Sequence, residues 1–315
     1  MEIIPLLLLV LVCAALVLGY PVALTLAGVS ILFSLLCIPA GIFDPDIFKS
    51  IPLRIFGIMN NVTLLAVPLF IFMGTILEKS GIAGRMLENM ALAFKNFRGG
   101  LSISIIVVGA LLAASTGIVG ATVVTMGLMS LPVLIQQGYK KDFSTGLVAA
   151  TGTLGQIIPP SIALVLLGDV MSNAYQRAQN NMGIFSQKTV TVGDLFVGAI
   201  VPGILICTSY LIYTIYQNSK NLNIQFLPNS ITPPKIEILK TLALPLILIV
   251  LVLGSIIGGI ATPTEAAAIG AMGALIIALI NGKLTFNFLK ETSEKTAIVT
   301  TMIFTILIGA SIFSL

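Results

Sequence analysis

TGTLGQIIPPS, residues 151–161, interrupts a long apolar stretch with glycines, threonines, a glutamine and two adjacent prolines. No helix runs through it unbroken, because Pro159 and Pro160 donate no backbone hydrogen bond and their rings crowd the preceding turn. The apolar runs on either side read as one membrane crossing of two half-helices over 143–172. A second interrupted stretch precedes it: AASTGIVGATVVTMG, 113–127, inside the apolar run 101–135. That run is too long for one span, which takes about 20 residues, and short for two. It reads as a re-entrant hairpin with its tip near Ser115–Gly120. Unwound backbone survives at membrane depth only where protein buries it or a wet cavity receives it. Broken helices in such places bind cations through freed carbonyls and anions through half-helix N-termini. The two breaks together therefore point to ion-coupled transport.

Composition sets the class. The 315 residues are 57% hydrophobic and 9% charged, with a mean hydropathy of +1.10. A soluble domain carries about 25% charge, so the chain reads as an all-α polytopic membrane protein whose outer surface faces a lipid bilayer. No loop is long enough to bury a core of its own. The expected organisation is one transmembrane domain over 1–315. It has scaffold helices and an interfacial helix in 1–100, the hairpin plus broken helix in 101–172, and further membrane helices in 193–315. The net charge of +4 is scattered over short loops and signals no nucleic-acid partner. Histidine is absent from the sequence, which removes His relays, His–metal sites and Ser-His-Asp catalysis. Cys13, Cys37 and Cys207 sit in apolar runs and read as small hydrophobic filler. The first run, Ile3–Leu18, lacks a basic leader and a cleavage motif, so it reads as a retained helix.

Apolar segments fall at 3–18, 22–38, 62–77, 101–135, 143–172, 193–217, 238–260, 262–280 and 297–315. A hairpin returns the chain to the side it left. Loops 78–100, 136–142, 218–240 and 281–296 then share one side. That side carries twelve basic residues: Lys79, Arg85, Lys95, Arg98, Lys140, Lys141, Lys220, Lys235, Lys240, Lys283, Lys290 and Lys295. The other side has four, Lys49, Arg54, Arg177 and Lys188. The bias makes the richer side cytoplasmic and turns the N-terminus outward. Segment 78–98 mixes charges with apolar residues at helical spacing and reads as an amphipathic helix on the cytoplasmic interface. Segment 41–60 reads as a second interfacial piece, interrupted by Pro45 and Pro52. The closing run, TMIFTILIGASIFSL, has no polar exit, and further C-terminal sequence is expected.

Acids inside apolar segments carry a functional hypothesis by default. Asp169 has two readings, a cation or proton site and the outer end of a helix. Asp194 reads as a helix N-cap. Glu265 reads as the far half of a capping box with Thr262, Pro263 taking the first helical position; an ion or partner contact is the alternative. At the hairpin tip Ser115, Thr116, Gly117 and Thr122 offer hydroxyls and carbonyls without charge, which suits a hard cation such as Na⁺. Small-residue helix packing is the rival reading there. Thr151, Gly152, Thr153, Leu154 and Gly155 repeat the same chemistry, and Gln156 adds a neutral amide for a polar substrate.

Five motifs occur in order: GYPVALTLAG (19–28), AVPLFIFMGTILEKSG (66–81), AASTGIVGATVVTMG (113–127), TGTLGQIIPPSIALVLLGD (151–169) and GIATPTEAAAIGA (259–271). Together they resemble the large membrane subunit of tripartite ATP-independent periplasmic (TRAP) transporters, over about residues 5–280. The resemblance implies an elevator-type fold with inverted repeats and re-entrant hairpins. It implies Na⁺-driven uptake of an organic acid in the cytoplasmic membrane of a bacterium or archaeon. It also implies two partners, a periplasmic substrate-binding protein and a small four-helix membrane subunit. By motif, a Na⁺ site lies between the tip (Ser115, Thr116, Gly117) and the break (Gly152, Leu154, Gly155). Thr122, Thr153, Gln156, Pro159 and Pro160 line the substrate cavity. No cofactor is implied beyond the coupling ion. Two departures stand out. Ile118-Val119 replaces a second serine pair that many members carry, and the family's later broken element with a TPP motif does not occur here, which leaves the second repeat incomplete. A binding-protein-independent dicarboxylate or citrate carrier, a non-functional truncated subunit and a membrane enzyme are the competing classes. The last lacks convergent nucleophiles, acids or metal ligands.

Overall fold

A computed structural model of the chain describes residues 3–94, 97, 99–117, 119–184, 188–220 and 235–315, with backbone alone at 3, 113–116, 121 and 235–240. Every regular element among these residues is helical: α1 (Ile3–Val17), α2 (Val22–Cys37), α3 (Ile51–Met59), α4 (Ala66–Lys79), α5 (Ile82–Ala93), α6 (Gly100–Thr116), α7 (Val119–Gln136), α8 (Lys141–Thr153), α9 (Ile162–Asn181), α10 (Val192–Lys220), α11 (Lys235–Ile257), α12 (Pro263–Ile280) and α13 (Phe286–Phe313). Among the described residues α10, α12 and α13 are long and apolar enough, taken singly, to cross a bilayer. The chain divides into two compact units, residues 1–62 with 297–315 and residues 63–296.

In the smaller unit α1 and α2 are joined by the short turn Gly19-Tyr20-Pro21. Their outward faces carry exposed Leu6, Leu9, Val10, Leu24, Leu32 and Leu36, apolar area that a bilayer covers without cost. Thr25 and Ser30 donate their hydroxyls to the carbonyls of Pro21 and Leu26 one turn back, so neither is a loose polar group in an apolar helix. Gly309 of α13 lies against the backbone of Ala23. Pro45 and Pro52 start helical turns rather than interrupt them, each at the N-terminal end of a helix where the missing N–H costs nothing.

The larger unit is built on α4 and α12. Ala266, Ala267, Gly270, Ala271, Ala274 and Ala278 form a buried stripe on α12, and Phe70, Ile71, Met73, Ile76 and Leu77 are buried on α4. A Cβ on Gly270 would lie 2.6 Å from the Met73 sulfur. Lipid tails are as apolar as leucine, so close approach across small residues and the dispersion it gains hold such helices together. The hairpin is present: α6 and α7 meet at Gly117, and Gly109 of α6 faces Met126 of α7 at equal distance from the turn. The broken helix is present too, as α8, a 3₁₀ turn over Leu154–Gln156, and α9. On α7, Val123 and Gly127 face Gly152 and Val148 of α8, an antiparallel register.

Two elements depart from the sequence reading. Segment 78–98 is not one surface helix. α4 runs through Lys79, Gly81 turns the chain with a φ of +71°, and α5 buries Ile82, Ala83, Met86, Leu87, Met90 and Ala91. Gly84 admits the Met129 methyl of α7, so α5 packs on the hairpin. α13 begins at Phe286, well before the apolar run at 297, because its first turns are polar.

Of the loops expected on one side, 78–100 and 281–296 meet. Lys79 pairs with Glu291 at 3.0 Å and Lys295 with Glu78 at 2.9 Å. Arg85 reaches Asn281 at 2.9 Å, Asn89 reaches Thr241 at 3.0 Å, and Asn218 reaches Ser102 at 2.9 Å. The side chains of Lys235 and Lys240, and residues Lys95 and Arg98, lie outside the described residues.

The tight register across α7 and α8 makes a stability prediction. A Cβ on Gly152 would sit 3.0 Å from the Val123 Cα and 3.1 Å from its N, where backbone must move. Gly152→Ala is expected to cost about 1–3 kcal/mol. Gly120→Ala, where nothing lies within 4 Å, is expected to cost nothing. Thermal midpoints of the two purified variants in detergent check the contrast.

Candidate functional site

α8 ends because its continuation has no donors. Pro159 would aim its N–H at the Gly155 carbonyl in an unbroken helix, and Pro160 at that of Gln156; neither has one. The chain tightens instead, with Ile157 and Ile158 donating their amides to the Leu154 carbonyl at 3.0 and 2.8 Å. Ser161 closes the gap. Its hydroxyl donates to the Gln156 carbonyl at 2.9 Å and accepts the Leu164 amide at 3.4 Å, which makes it the N-cap of α9. A serine directly after a proline pair and before an apolar run is an N-cap signal that the sequence carries at Ser161. Gly152, Leu154, Gly155, Pro159 and Pro160 are all buried, and the Pro159–Pro160 peptide is cis.

At the hairpin tip α6 stops at Gly117, whose φ of +60° is left-handed, a conformation that ends helices and that glycine takes without a Cβ penalty. The Gln156 side-chain amide donates to the Gly117 carbonyl at 3.0 Å. Gly117 also lies against the first turn of α9: a Cβ there would be 3.2 Å from Ile162 Cγ1 and 3.7 Å from the Ile162 amide nitrogen. The two interruptions of the sequence are therefore one locus, in which a tip carbonyl, the 3₁₀ turn and a helix N-terminus converge. The side chains of Ser115 and Thr116, and residue Ile118, lie outside the described residues.

Other sequence-predicted residues take different places. Thr122 is buried. Thr153 is exposed and its hydroxyl donates to the Ala150 carbonyl at 2.7 Å. Thr151 is buried and bonds the Leu147 and Val148 carbonyls in its own helix. Asp169, Thr262 and Glu265 are gathered elsewhere, in a cavity of about 460 Å³ lined also by Thr63, Ser172 and Thr191. The capping box is observed: the Thr262 amide and hydroxyl each donate to Glu265 Oε2 at 2.8 Å, and the Glu265 amide returns to Thr262 Oγ1 at 3.3 Å. Thr191 and Asp194 make the same reciprocal contact at the start of α10, with 2.8, 2.7 and 3.2 Å. Both helix N-termini are thus answered by their own carboxylates.

Residues 9–315 match the tripartite ATP-independent periplasmic transporter, DctM component, family. Among similar proteins is the C4-dicarboxylate TRAP transporter large permease protein DctM of Vibrio cholerae, 34% identical over 93% of this chain and 60% of its own length. The protein of the same name from Rhodobacter capsulatus is 30% identical over 96% of this chain and 68% of its own. The sialic acid TRAP transporter large permease protein SiaM of Vibrio cholerae is 29% identical over 94% and 64%. The chain thus spans about three fifths to two thirds of the length of these relatives, which are named as permeases. It belongs to the DctM family.

The break itself can be tested without substrate. Ser161 is fully buried, so Ser161→Ala removes a cap and strands the Gln156 carbonyl. A loss of about 1–3 kcal/mol is expected, with Ser161→Thr close to wild type. Thr153→Val, at an exposed hydroxyl, is expected to change stability by less than about 0.5 kcal/mol. Thermal melts of the three variants read the order.

Proposed function

We propose that this member of the DctM family is the permease of a Na⁺-driven importer, taking up a small organic acid of the C4-dicarboxylate kind across the cytoplasmic membrane. The observation that carries the reading is the 3.0 Å bond from Gln156 to the Gly117 carbonyl, which joins tip and break into one locus. The similarity to permeases named for C4-dicarboxylates supports the substrate class.

In this reading Na⁺ takes neutral oxygens at the junction, from Ser115, Thr116 and Gly117 on the tip and from Gly152, Leu154 and Gly155 on the break. Gly155 is apt because Pro159 withdraws the amide that a helix would aim at its carbonyl. A substrate carboxylate is favoured nearby by the N-terminus of α9, whose dipole is positive at that end. Thr122, Thr153, Gln156, Pro159 and Pro160 shape the cavity around it. Cation and anion bound close together each lower the electrostatic cost of the other, a mutual gain of about 1–3 kcal/mol in typical coupled sites. A periplasmic substrate-binding protein delivers the acid. A small four-helix membrane subunit braces the permease, which moves by an elevator stroke. Asp169 lies within α9, as its eighth residue, and lines the separate cavity, away from the proposed ion site.

The test uses the complete permease, its small subunit and its binding protein in proteoliposomes with radiolabelled succinate. An inward Na⁺ gradient is expected to drive accumulation, and choline in place of Na⁺ to abolish it. Gln156→Ala is expected to raise the half-saturating Na⁺ concentration about three- to tenfold, the worth of one hydrogen bond, while Gly155→Leu stops uptake with the protein still inserted. Equal uptake in choline and Na⁺ overturns the coupling. An unchanged Na⁺ requirement in Gln156→Ala overturns the site.

A further inference from the structure

Away from the junction, the return arm of the hairpin is tied to a charged cluster. Glu78, at the end of α4, keeps 17% of its side chain exposed and pairs with Lys295 of α13, whose Nζ lies 3.1 and 2.9 Å from the two carboxylate oxygens. The neighbouring Lys79 pairs with Glu291, one turn before Lys295. Consecutive residues on α4 thus grip two successive turns of α13 with alternating sign. The third member of the cluster is on the hairpin: the Thr125 hydroxyl donates to Glu78 Oε1 at 3.1 Å.

Thr125 lies two residues beyond Val123, which packs on Gly152, and one before Met126, which is fully buried. One turn further, Met129 packs into the gap at Gly84. The same face of α7 therefore meets α4 by a hydrogen bond and α5 by a side chain. A hydrogen bond to a carboxylate is about twice as strong as one to a neutral acceptor. A carboxylate this little exposed needs its counter-charge, because removal of one partner leaves the other desolvated and unpaired.

We propose that Glu78, balanced by Lys295, is a positioning residue for the hairpin: through Thr125 it fixes the return arm so that the Gly117 carbonyl meets Gln156. The role in ion affinity rests on the reading of that junction as the Na⁺ site; the positioning itself does not. No step of ion or substrate binding involves Glu78 directly.

The experiment pairs two readouts on the complete permease with its partner subunits in nanodiscs or proteoliposomes. Hydrogen–deuterium exchange of amides 119–130 reads the arm, and Na⁺-dependent succinate uptake reads the junction. Glu78→Gln and Thr125→Val are expected to raise exchange across 119–130. They are also expected to raise the half-saturating Na⁺ by about threefold or more, with maximal uptake at high Na⁺ within about twofold of wild type. Thr125→Ser, which keeps the hydroxyl, is expected to behave as wild type. Lys295→Met is expected to be the most disruptive single change, and Glu78→Lys with Lys295→Glu to recover most of the protection by restoring the pair. If Lys295→Met fails to insert, Glu78→Gln and Thr125→Val carry the test alone. Unchanged exchange of 119–130 in both overturns the proposal. Raised exchange with uptake that ignores Na⁺ in the wild type overturns the proposed function and leaves the positioning role standing.

Discussion

A helix that stops in apolar surroundings strands carbonyls and amides with no water to receive them. At residues 154–161 that problem is severe, since two prolines remove two successive donors. The chain answers it with one backbone carbonyl and two side chains. Ser161 takes the Gln156 carbonyl and the Leu164 amide, while Leu154 takes two amides. Among the described residues the long-range contact is Gln156, which reaches across to Gly117. Each such bond contributes about 1 kcal/mol net, but leaving its partner buried and unpaired costs more than that. The hairpin tip is therefore held where the break needs it, and each interruption is stable because the other exists.

Small residues make the arrangement feasible. Water does not drive helices together inside a bilayer, so packing distance decides. Gly152 allows the backbone of α7 to approach α8, and Gly270 allows α4 to approach α12. Gly152 lies where a side chain would push apart helices that carry the two breaks, and Gly270 where one would part the α4–α12 pair on which the larger unit is built. The apparent weakness of a glycine inside a helix is offset by contacts that no larger residue permits.

Much of this was legible in the sequence where the signals are local. Proline chemistry located the break within a residue or two, and the hairpin followed from a run too long for one crossing. Thr262, Pro263 and Glu265 announced a capping box because three residues suffice to form it. What escaped reading was non-local or masked by polarity. Asp169 read as a cation site or a helix end and Thr262 with Glu265 as a capping box, yet all three line one separate cavity, which the packing of α9 on α10 and of α10 on α11 brings together. α5 looked like a surface helix because Arg85 and Glu88 punctuate it. Arg85 instead reaches out to Asn281, which lets the rest of the helix be buried. The first turns of α13 hid from hydropathy for the same reason, since Lys290, Glu291, Glu294 and Lys295 make a helix look like a loop.

Those polar turns also explain how the tip is steadied from its far end. Thr125 stands six residues from Val119, the first residue of α7, about 9 Å at 1.5 Å per residue. A helix over that length is stiff, so a small displacement at Thr125 reaches the tip as a displacement of similar size. A hydrogen bond weakens steeply once geometry departs from its optimum. The 3.0 Å contact between Gln156 and Gly117 thus depends on two restraints, one made by a neutral amide at the junction and one by a paired carboxylate at the polar end. Under the proposed function, neutral groups at the junction leave oxygens for a cation, whereas a carboxylate there would repel the proposed anionic substrate. The charge that holds the hairpin is placed where it holds the arm without entering the junction.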